Sequence, residues 1–216
     1  MILGHPAVGL ASKRAMPRVP LAWLIAAPLW LDLIWPVFLL LGIETVRIDP
    51  GITAVTPLDL HDFPWSHSLL MSFVWSGLLG GLYFGMRRDG GGATLVAVGV
   101  FSHWLFDFFM HDSDMPLFPG SDTYVGLGVW NSLLATLFLE VAIFVAGVWI
   151  YVSGTRATDR IGHVALWSML GFFVLIYVGA LFGPLPQNET MIAYGGLLGW
   201  VFVPWAAWID RHREPS

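Results

Sequence analysis

The chain has 216 residues, of which 56% are hydrophobic and only 12% are charged. Soluble domains carry about 25% charged residues, so this composition excludes a water-soluble enzyme and is typical of an integral membrane protein. The formal net charge of −5 argues against a nucleic-acid-binding protein. Because the chain has no cysteine, any metal must be held by histidine and carboxylate side chains.

Six windows are apolar over the roughly 20 residues that a bilayer-crossing helix requires. The windows are 20–43, 66–86, 93–112, 127–152, 162–183 and 191–209. We therefore predict an all-α membrane protein, a polytopic bundle of about six transmembrane helices that forms one domain over residues 1–216. Three glycines at four-residue spacing, Gly77, Gly81 and Gly85, predict a close-packed face on the second helix.

Basic residues set the expected orientation of the bundle. Nine of the ten Lys and Arg residues fall on one side of an alternating six-span path, and only Arg47 falls on the other. The nine are Lys13, Arg14, Arg18, Arg87, Arg88, Arg156, Arg160, Arg211 and Arg213. By the positive-inside rule, both termini are cytoplasmic. We predict a multi-pass protein of the plasma membrane, the inner membrane of a bacterium, with the acidic loops 44–65 and 110–128 facing outward.

Two short stretches beside the predicted spans need their own assignment. The segment ILGHPAVGLA, which precedes the first basic residue, is apolar but too short to cross a membrane. Two arrangements are open for it: it lies on the inner surface, or it enters the bundle as a half-helix with His5 leading. At the start of the second span, Ser66 is the expected N-cap.

Ionisable side chains inside a membrane span cost about 2.5–3.5 kcal/mol each on insertion scales and therefore indicate a function. In the third span, His103, Asp107 and His111 recur at every fourth residue and occupy about 80° of the helix surface. Two imidazoles and a carboxylate on one stripe are suitable ligands for zinc or a similar divalent ion. Alternatively, Asp107 orients a liganding histidine, or hydrogen bonds to neighbouring helices satisfy the whole stripe.

Two further acids lie near the middle of the membrane at a rise of about 1.5 Å per residue. They are Asp32 in the first span and Glu140 in the fourth, and each is a candidate general base for catalysis. Glu140 is open to a second interpretation, because a carboxylate on an interior helix face can simply hydrogen-bond a neighbouring span. His67 begins the second span near the outer surface, at the level of His111.

These residues carry a resemblance to a known family. The elements concerned are GH at 4–5, Asp32, SHSLL at 66–70, SHWLFD at 102–107 and PLFP at 116–119. Over roughly residues 1–130 the chain resembles small bacterial inner-membrane proteins that are described as membrane-bound metal-dependent hydrolases. The site residues that this resemblance implies are His5, Asp32, His67, His103 and Asp107. The chain departs from the family pattern in two ways: a His-Arg-Gly element is reduced to His61, and the first span ends with a single acid.

Three functions are compatible with these features. The first is a metal-dependent hydrolase in which His67, His103 and Asp107 hold a divalent ion, with Asp32 or His5 completing its ligands, and which acts on a lipid or lipid-linked substrate. The second is a transporter of metal ions or protons, which predicts titratable residues continuing to the inner face. The third is a non-catalytic protein whose polar side chains hold the helices together. We favour the first because the inner half carries mainly arginines at its rim and the chain has no internal repeat.

Overall fold

The computed structural model describes all 216 residues and consists mainly of helices. In chain order the helices are α1 (Gly4–Ala15), α2 (Leu21–Leu40), α3 (Pro64–His67), α4 (Leu69–Arg87), α5 (Gly90–Met110), α6 (Leu133–Gly154), α7 (Arg160–Phe182), α8 (Glu189–Leu197) and α9 (Phe202–Asp210). Two 3₁₀ turns are present, Val129–Asn131 and Leu198–Val201. The strands are β1 (Thr45–Ile48), β2 (Leu58–Asp62), β3 (Met115–Pro116), β4 (Tyr124–Val125), β5 (Thr155–Ala157) and β6 (Arg213–Pro215).

Six segments are long and apolar enough to cross a membrane, which confirms the predicted all-α bundle of a multi-pass membrane protein. Five are the single helices α2, α4, α5, α6 and α7, and the sixth, Glu189–Asp210, joins α8 and α9 through a 3₁₀ turn. The largest difference from the predicted windows is the start of the fourth, expected at 127. Gly128 there takes a left-handed conformation (φ 69°), and Ser132 caps α6 by accepting a hydrogen bond from the N–H of Ala135.

The second window contains two helices rather than one. α3 ends at His67, Ser68 is extended (ψ 155°), and α4 begins at the next residue. The N-cap of α4 is therefore Ser68, whose hydroxyl accepts from the N–H of Met71, and the prediction of Ser66 as the N-cap is wrong. This break places the imidazole of His67 beside that of His103, with ring centroids 5.2 Å apart.

α1 is a half-helix inside the bundle, which decides between the two arrangements that the sequence leaves open. It packs against α2, α5 and α6, and Ala7 and Leu10 are at most 1% exposed. Two glycines permit this close approach. A Cβ on Gly9 would overlap the carbonyl group of Leu24 in α2, and a Cβ on Gly147 of α6 would lie 2.5 Å from the carbonyl oxygen of Ala7. One buried apolar cluster of 33 residues joins α1 to all six long segments.

The two ends of the bundle differ in charge. At the end where α1 finishes, Lys13 pairs with Asp210 at 2.6 Å and Arg18 with Asp89 at 2.9 Å, and β5 pairs with β6 in antiparallel fashion. We call this the basic end, because the connections that carry the nine basic residues lie there. The opposite end, which we call the hairpin end, carries the antiparallel pairs β1–β2 and β3–β4.

The predicted close-packed face of α4 is not used within this chain. Gly77, Gly81 and Gly85 are exposed, and a Cβ at any of them would meet no atom within 4 Å. α4 packs on α5 through Gly80 instead, where a Cβ would lie 2.9 Å from the carbonyl oxygen of Ala93. The prediction is therefore wrong for the packing of this chain, because a different face of the same helix meets its neighbour.

Candidate metal centre

Five of the six predicted site residues meet at one place in the interior of the bundle. Within each of two overlapping groups, nitrogen or oxygen atoms of the side chains lie within 4.8 Å of one another. One group is His5, His103 and Asp107, and the other is Asp32, His67 and His103. The residues come from α1, α2, α3 and α5, so the site exists only because the half-helix and the broken second span bring them together.

His103 presents a lone pair to the carboxylates. Its Nδ1–H donates to the carbonyl oxygen of Pro28 at 2.7 Å, and because a carbonyl can only accept, Nε2 of the neutral ring carries no proton. Nε2 lies 2.9 Å from Oδ2 of Asp107 and 3.7 Å from Oδ1 of Asp32. It has no hydrogen-bond partner despite complete burial. An orphaned, buried acceptor nitrogen of this kind is suited to a metal ion.

His67 is held in the same tautomer by a chain of two residues. Ser66 donates its hydroxyl proton to Oε2 of Glu44 at 2.7 Å, so its oxygen can only accept from Nδ1–H of His67, also at 2.7 Å. With Glu44 ionised, Nε2 of His67 therefore carries a lone pair. That nitrogen lies 3.6 Å from Oδ1 of Asp32 and 4.0 Å from Oδ2 of Asp107.

His111 adds a third lone pair and confirms that the stripe on α5 faces one centre. Its Nδ1–H donates to Oδ1 of Asp114 at 3.0 Å. Its Nε2 lies 3.9 Å from Oδ2 of Asp107. The ring is held between Trp130, with centroids 4.2 Å apart, and Phe63, with centroids 5.7 Å apart. Each histidine thus uses one nitrogen for support and directs the other to the carboxylates.

Apart from the amino group of Met1, which donates to Oδ1 of Asp107 at 2.9 Å, the groups that meet at this centre are acceptors when the imidazoles are neutral. The lone pairs of His67, His103 and His111 face the carboxylates of Asp32 and Asp107, and in these tautomers no proton lies between them. Such groups repel one another strongly in a low-dielectric interior, and a cation removes the repulsion. Bond lengths of 2.0–2.1 Å around zinc separate tetrahedral ligand atoms by about 3.3 Å. The separations of 2.9–4.0 Å between histidine nitrogens and carboxylate oxygens bracket that value, so the donor set fits zinc or a similar divalent ion.

His5 contacts the other oxygen of the Asp107 carboxylate. Its Nε2 lies 3.1 Å from Oδ1 of Asp107 and 2.8 Å from the amino group of Met1, which donates to the same oxygen at 2.9 Å. The imidazole also stacks on His103, with centroids 3.7 Å apart and planes inclined by 11°. The structure therefore places His5 beside the predicted ligands, on the side of Asp107 that faces α1.

The sixth predicted residue, Glu140, is 2% exposed and caps the N-terminus of α1. Its carboxylate accepts hydrogen bonds from the N–H groups of Ile2 at 3.3 Å, Leu3 at 2.7 Å and Gly4 at 3.2 Å. A carboxylate at this position is stabilised by the unpaired N–H groups and by the positive end of the helix dipole. Glu140 thus hydrogen-bonds a neighbouring helix, as the second interpretation of the sequence expected.

Sequence reasoning missed Glu44, which supports His67. Glu44 is 1% exposed in the connection after α2, and its Oε1 accepts from the N–H groups of Trp65 and Ser66, both at 2.7 Å. Burial raises the pKa of Glu44 to about 7, although these hydrogen bonds favour the ionised form. Its position 21 residues before Trp65 has no periodic relation to α3, so only the folded connection reveals the contact.

A cavity of about 380 Å³ lies between the metal centre and the hairpin end. Asp32, His67, Asp107 and His111 line its polar part. Its apolar lining includes Trp35, Leu58, Phe63, Trp130, Leu181 and Met191. The side chain of Asp32 is 45% exposed and that of Asp107 is 3% exposed, so Asp32 is the acid that a ligand in the cavity can reach.

No protein-family model matches the chain, and neither a curated protein nor a solved structure matches it. The functional assignment therefore depends on the geometry of the site. The imidazole and carboxylate groups of the site are suited to binding a cation. The apolar walls of the adjoining cavity are suited to binding a largely apolar molecule beside it.

Proposed function

We propose that this protein is a membrane-embedded metal-dependent hydrolase. The observation that carries the proposal is the convergence of imidazole nitrogens and carboxylate oxygens in two overlapping groups that share His103, because a divalent cation would satisfy such a set of ligands. His67, His103 and Asp107 would hold the ion, and Asp32 and His111 lie where they can complete its ligands. Zinc is the expected metal for this nitrogen-rich donor set.

A bound divalent ion supplies Lewis acidity, which polarises a carbonyl or phosphoryl oxygen and makes a water molecule a stronger acid. The remaining work belongs to the residues of the chain. Asp32 extends into the cavity and is placed to accept a proton from water. Glu140, the other predicted catalytic acid, has its oxygens occupied by backbone N–H groups, which favours Asp32 as the base.

The surroundings support a substrate that comes from the membrane. The site lies within a bundle of six apolar helices, and the cavity that reaches it has mainly apolar walls. We infer a lipid or lipid-linked substrate and a location in the plasma membrane of a bacterium, with the basic end and both termini in the cytoplasm. The cavity would then open toward the outer half of the membrane.

The inner half of the bundle supports hydrolysis rather than transport. Between His5 and Lys13, the buried side chains of α1 are apolar, among them Ala7 and Leu10. A transporter of metal ions or protons requires polar or titratable groups along the whole path. This apolar stretch of α1 favours a metal centre that opens toward the hairpin end.

Metal content and thermal stability, measured on the same detergent-purified preparations after zinc supplementation, test the proposal. His103→Ala and Asp107→Ala should each lose the metal while the protein still elutes as a folded particle. Loss of a supporting residue typically lowers metal affinity about 10–100-fold, and loss of a ligand should cost at least that. Asp107→Asn is the sharpest variant, because it keeps the volume and removes the charge. Glu140→Gln is the contrast, because it perturbs the start of α1 without removing any of the proposed ligands, and it should keep its metal.

A structural role for the same side chains predicts a different result. Metal content would then stay unchanged while the melting temperature falls alike in all these variants. Wild-type metal occupancy in His103→Ala would end the metal proposal. Hydrolysis is tested separately with fluorogenic carboxylic and phosphoric esters, and turnover that disappears in Asp32→Asn is the expected outcome. Zinc-loaded protein that turns over neither class of ester would refute the hydrolase.

A further inference from the structure

The cavity that reaches the metal centre contains acids but no Lys or Arg. Its acidic lining residues are Asp32, Asp107 and Glu140, and the amino group of Met1 is already paired with Asp107 at 2.9 Å. The three N–H groups at the start of α1 compensate Glu140. With a single divalent ion bound, the formal charges of the three carboxylates, the Met1 amino group and the ion would sum to zero, so no net positive charge remains for an anionic substrate.

Two uncharged hydrogen-bond donors in the wall of this cavity have no partner. The hydroxyl of Tyr177 and the indole Nε1–H of Trp35 are buried and make no hydrogen bond, although both side chains line the cavity. Trp35 lies three residues after Asp32 on α2, on the same side of the helix. Buried donors without partners are uncommon, and here both belong to side chains that form part of the cavity wall.

The rest of the wall suits a hydrocarbon chain. It comes from β2 and the connection before it, from α7 and from α8, and it includes Leu58, Leu60, Leu181, Met191 and Ile192. The volume of about 380 Å³ lies near the lower limit for pockets that enclose one small organic ligand. The cavity therefore combines an apolar compartment, two neutral donors and an acidic end.

We propose that the substrate of this site is an uncharged carboxylic ester with a hydrocarbon chain, rather than a phosphate ester. This inference rests on the proposed hydrolase function and names its substrate class. In the reaction, the oxygen of water bonds to the acyl carbon and the bond from that carbon to the alcohol oxygen breaks. Asp32 takes a proton from the water and returns it to the departing alcohol oxygen, so that an acid and an alcohol form without oxidation or reduction. Tyr177 and Trp35 donate hydrogen bonds to the oxygens of the ester.

Binding of two amphiphiles with similar hydrocarbon chains tests the inference independently of turnover. The probes are monodecanoylglycerol, a neutral ester, and decyl phosphate, an anion, and their affinities are measured by calorimetry on protein in nanodiscs. The neutral ester should bind at least about tenfold more tightly, both in metal-free and in zinc-supplemented protein, because an uncompensated anion is costly in this interior. Tyr177→Phe should weaken binding of the neutral ester about fivefold, as expected for one lost hydrogen bond.

A readout of stability separates this role from a structural one. Removing a buried hydroxyl that has no partner should not lower the melting temperature of Tyr177→Phe. Tyr194→Phe is the matched control, since Tyr194 is 61% exposed on α8 outside the cavity, and it should bind both probes as the wild type does. Equal or tighter binding of decyl phosphate, or unchanged ester affinity in Tyr177→Phe, overturns the inference. An ester that binds as expected but is not hydrolysed by zinc-loaded protein supports the ligand class and refutes the hydrolase.

Discussion

Replacing Glu44 with Gln should reverse the tautomer of His67 without replacing any of the proposed metal ligands. In Glu44→Gln the oxygen of the glutamine side chain is expected to accept from the backbone N–H groups of Trp65 and Ser66, as Oε1 of Glu44 does. In the opposite orientation the NH₂ group of the glutamine would point at these two backbone donors. The NH₂ group of the glutamine then faces the hydroxyl of Ser66, and the hydroxyl oxygen must accept a hydrogen bond from it. The hydroxyl proton is no longer directed at residue 44 and is donated to Nδ1 of His67 instead. Nε2 of His67 becomes protonated and loses the lone pair that it directs toward Asp32.

The structure sets the size of the effect. To recover the metal-binding tautomer, the variant must leave the Ser66 hydroxyl and the amide facing each other as two donors. An unsatisfied buried group costs about 1–3 kcal/mol, which corresponds to roughly 5–150-fold in zinc affinity. This range agrees with the 10–100-fold loss that is typical of residues that orient metal ligands. Competition with a chromophoric chelator measures that affinity.

Nitrogen NMR of the metal-free protein, with ¹⁵N in its seven histidines, reports the tautomer directly. Spectra recorded at about pH 8.5, above the pKa of Glu44, keep this carboxyl group ionised. Nδ1 of His67 should carry the proton in the wild type, and Nε2 should carry it in Glu44→Gln. Glu189→Gln, an exposed acid at the start of α8, is the control. Wild-type tautomer and wild-type zinc affinity in Glu44→Gln would refute the proposed chain of hydrogen bonds.

Particular contacts and charges lead to three further predictions. Gly147→Ala should lower the stability of the bundle by about 1–3 kcal/mol in a thermal unfolding assay, because its Cβ would overlap Ala7. Gly81→Ala is the control: its Cβ faces open space, and it should be neutral or slightly stabilising in the same assay. Burial raises the pKa of Glu44 from 4.5 to about 7, so its contribution to stability is complete below pH 4.5 and is lost as pH rises through 7. The stability of the wild type relative to Glu44→Gln should therefore fall by about 3 kcal/mol over that interval, as measured by thermal unfolding of both proteins at each pH. Single cysteines introduced at positions 122 and 88 should react with an impermeant reagent from the outside and the inside respectively, and the opposite result would invert the orientation.

Hydropathy predicts the spans well because length and apolar composition are local properties of the chain. The stripe of His103, Asp107 and His111 is equally local, since a period of four residues fixes a helix face, and it identifies the centre of the site. Glu44 and Ser66 escape this kind of reasoning because their contact depends on how the connection after α2 folds back onto α3. The glycine pattern of α4 misleads for the same reason: spacing defines a face but does not say which helix covers it.

The half-helix α1 explains why the candidate metal centre and the cavity lie next to each other. Its 12 residues extend about 18 Å, so it fills the bundle only from the basic end to the level of Glu140. There its first turn places His5 against His103, while Ile2 lies at the floor of the cavity. A helix that continued farther would fill that space, and one that stopped earlier would remove His5 from the centre. The buried carboxylate of Glu140 makes this ending possible, because it satisfies the N–H groups that a helix start would otherwise leave unpaired inside the bundle. Glu140 therefore acts on the site through the position of α1.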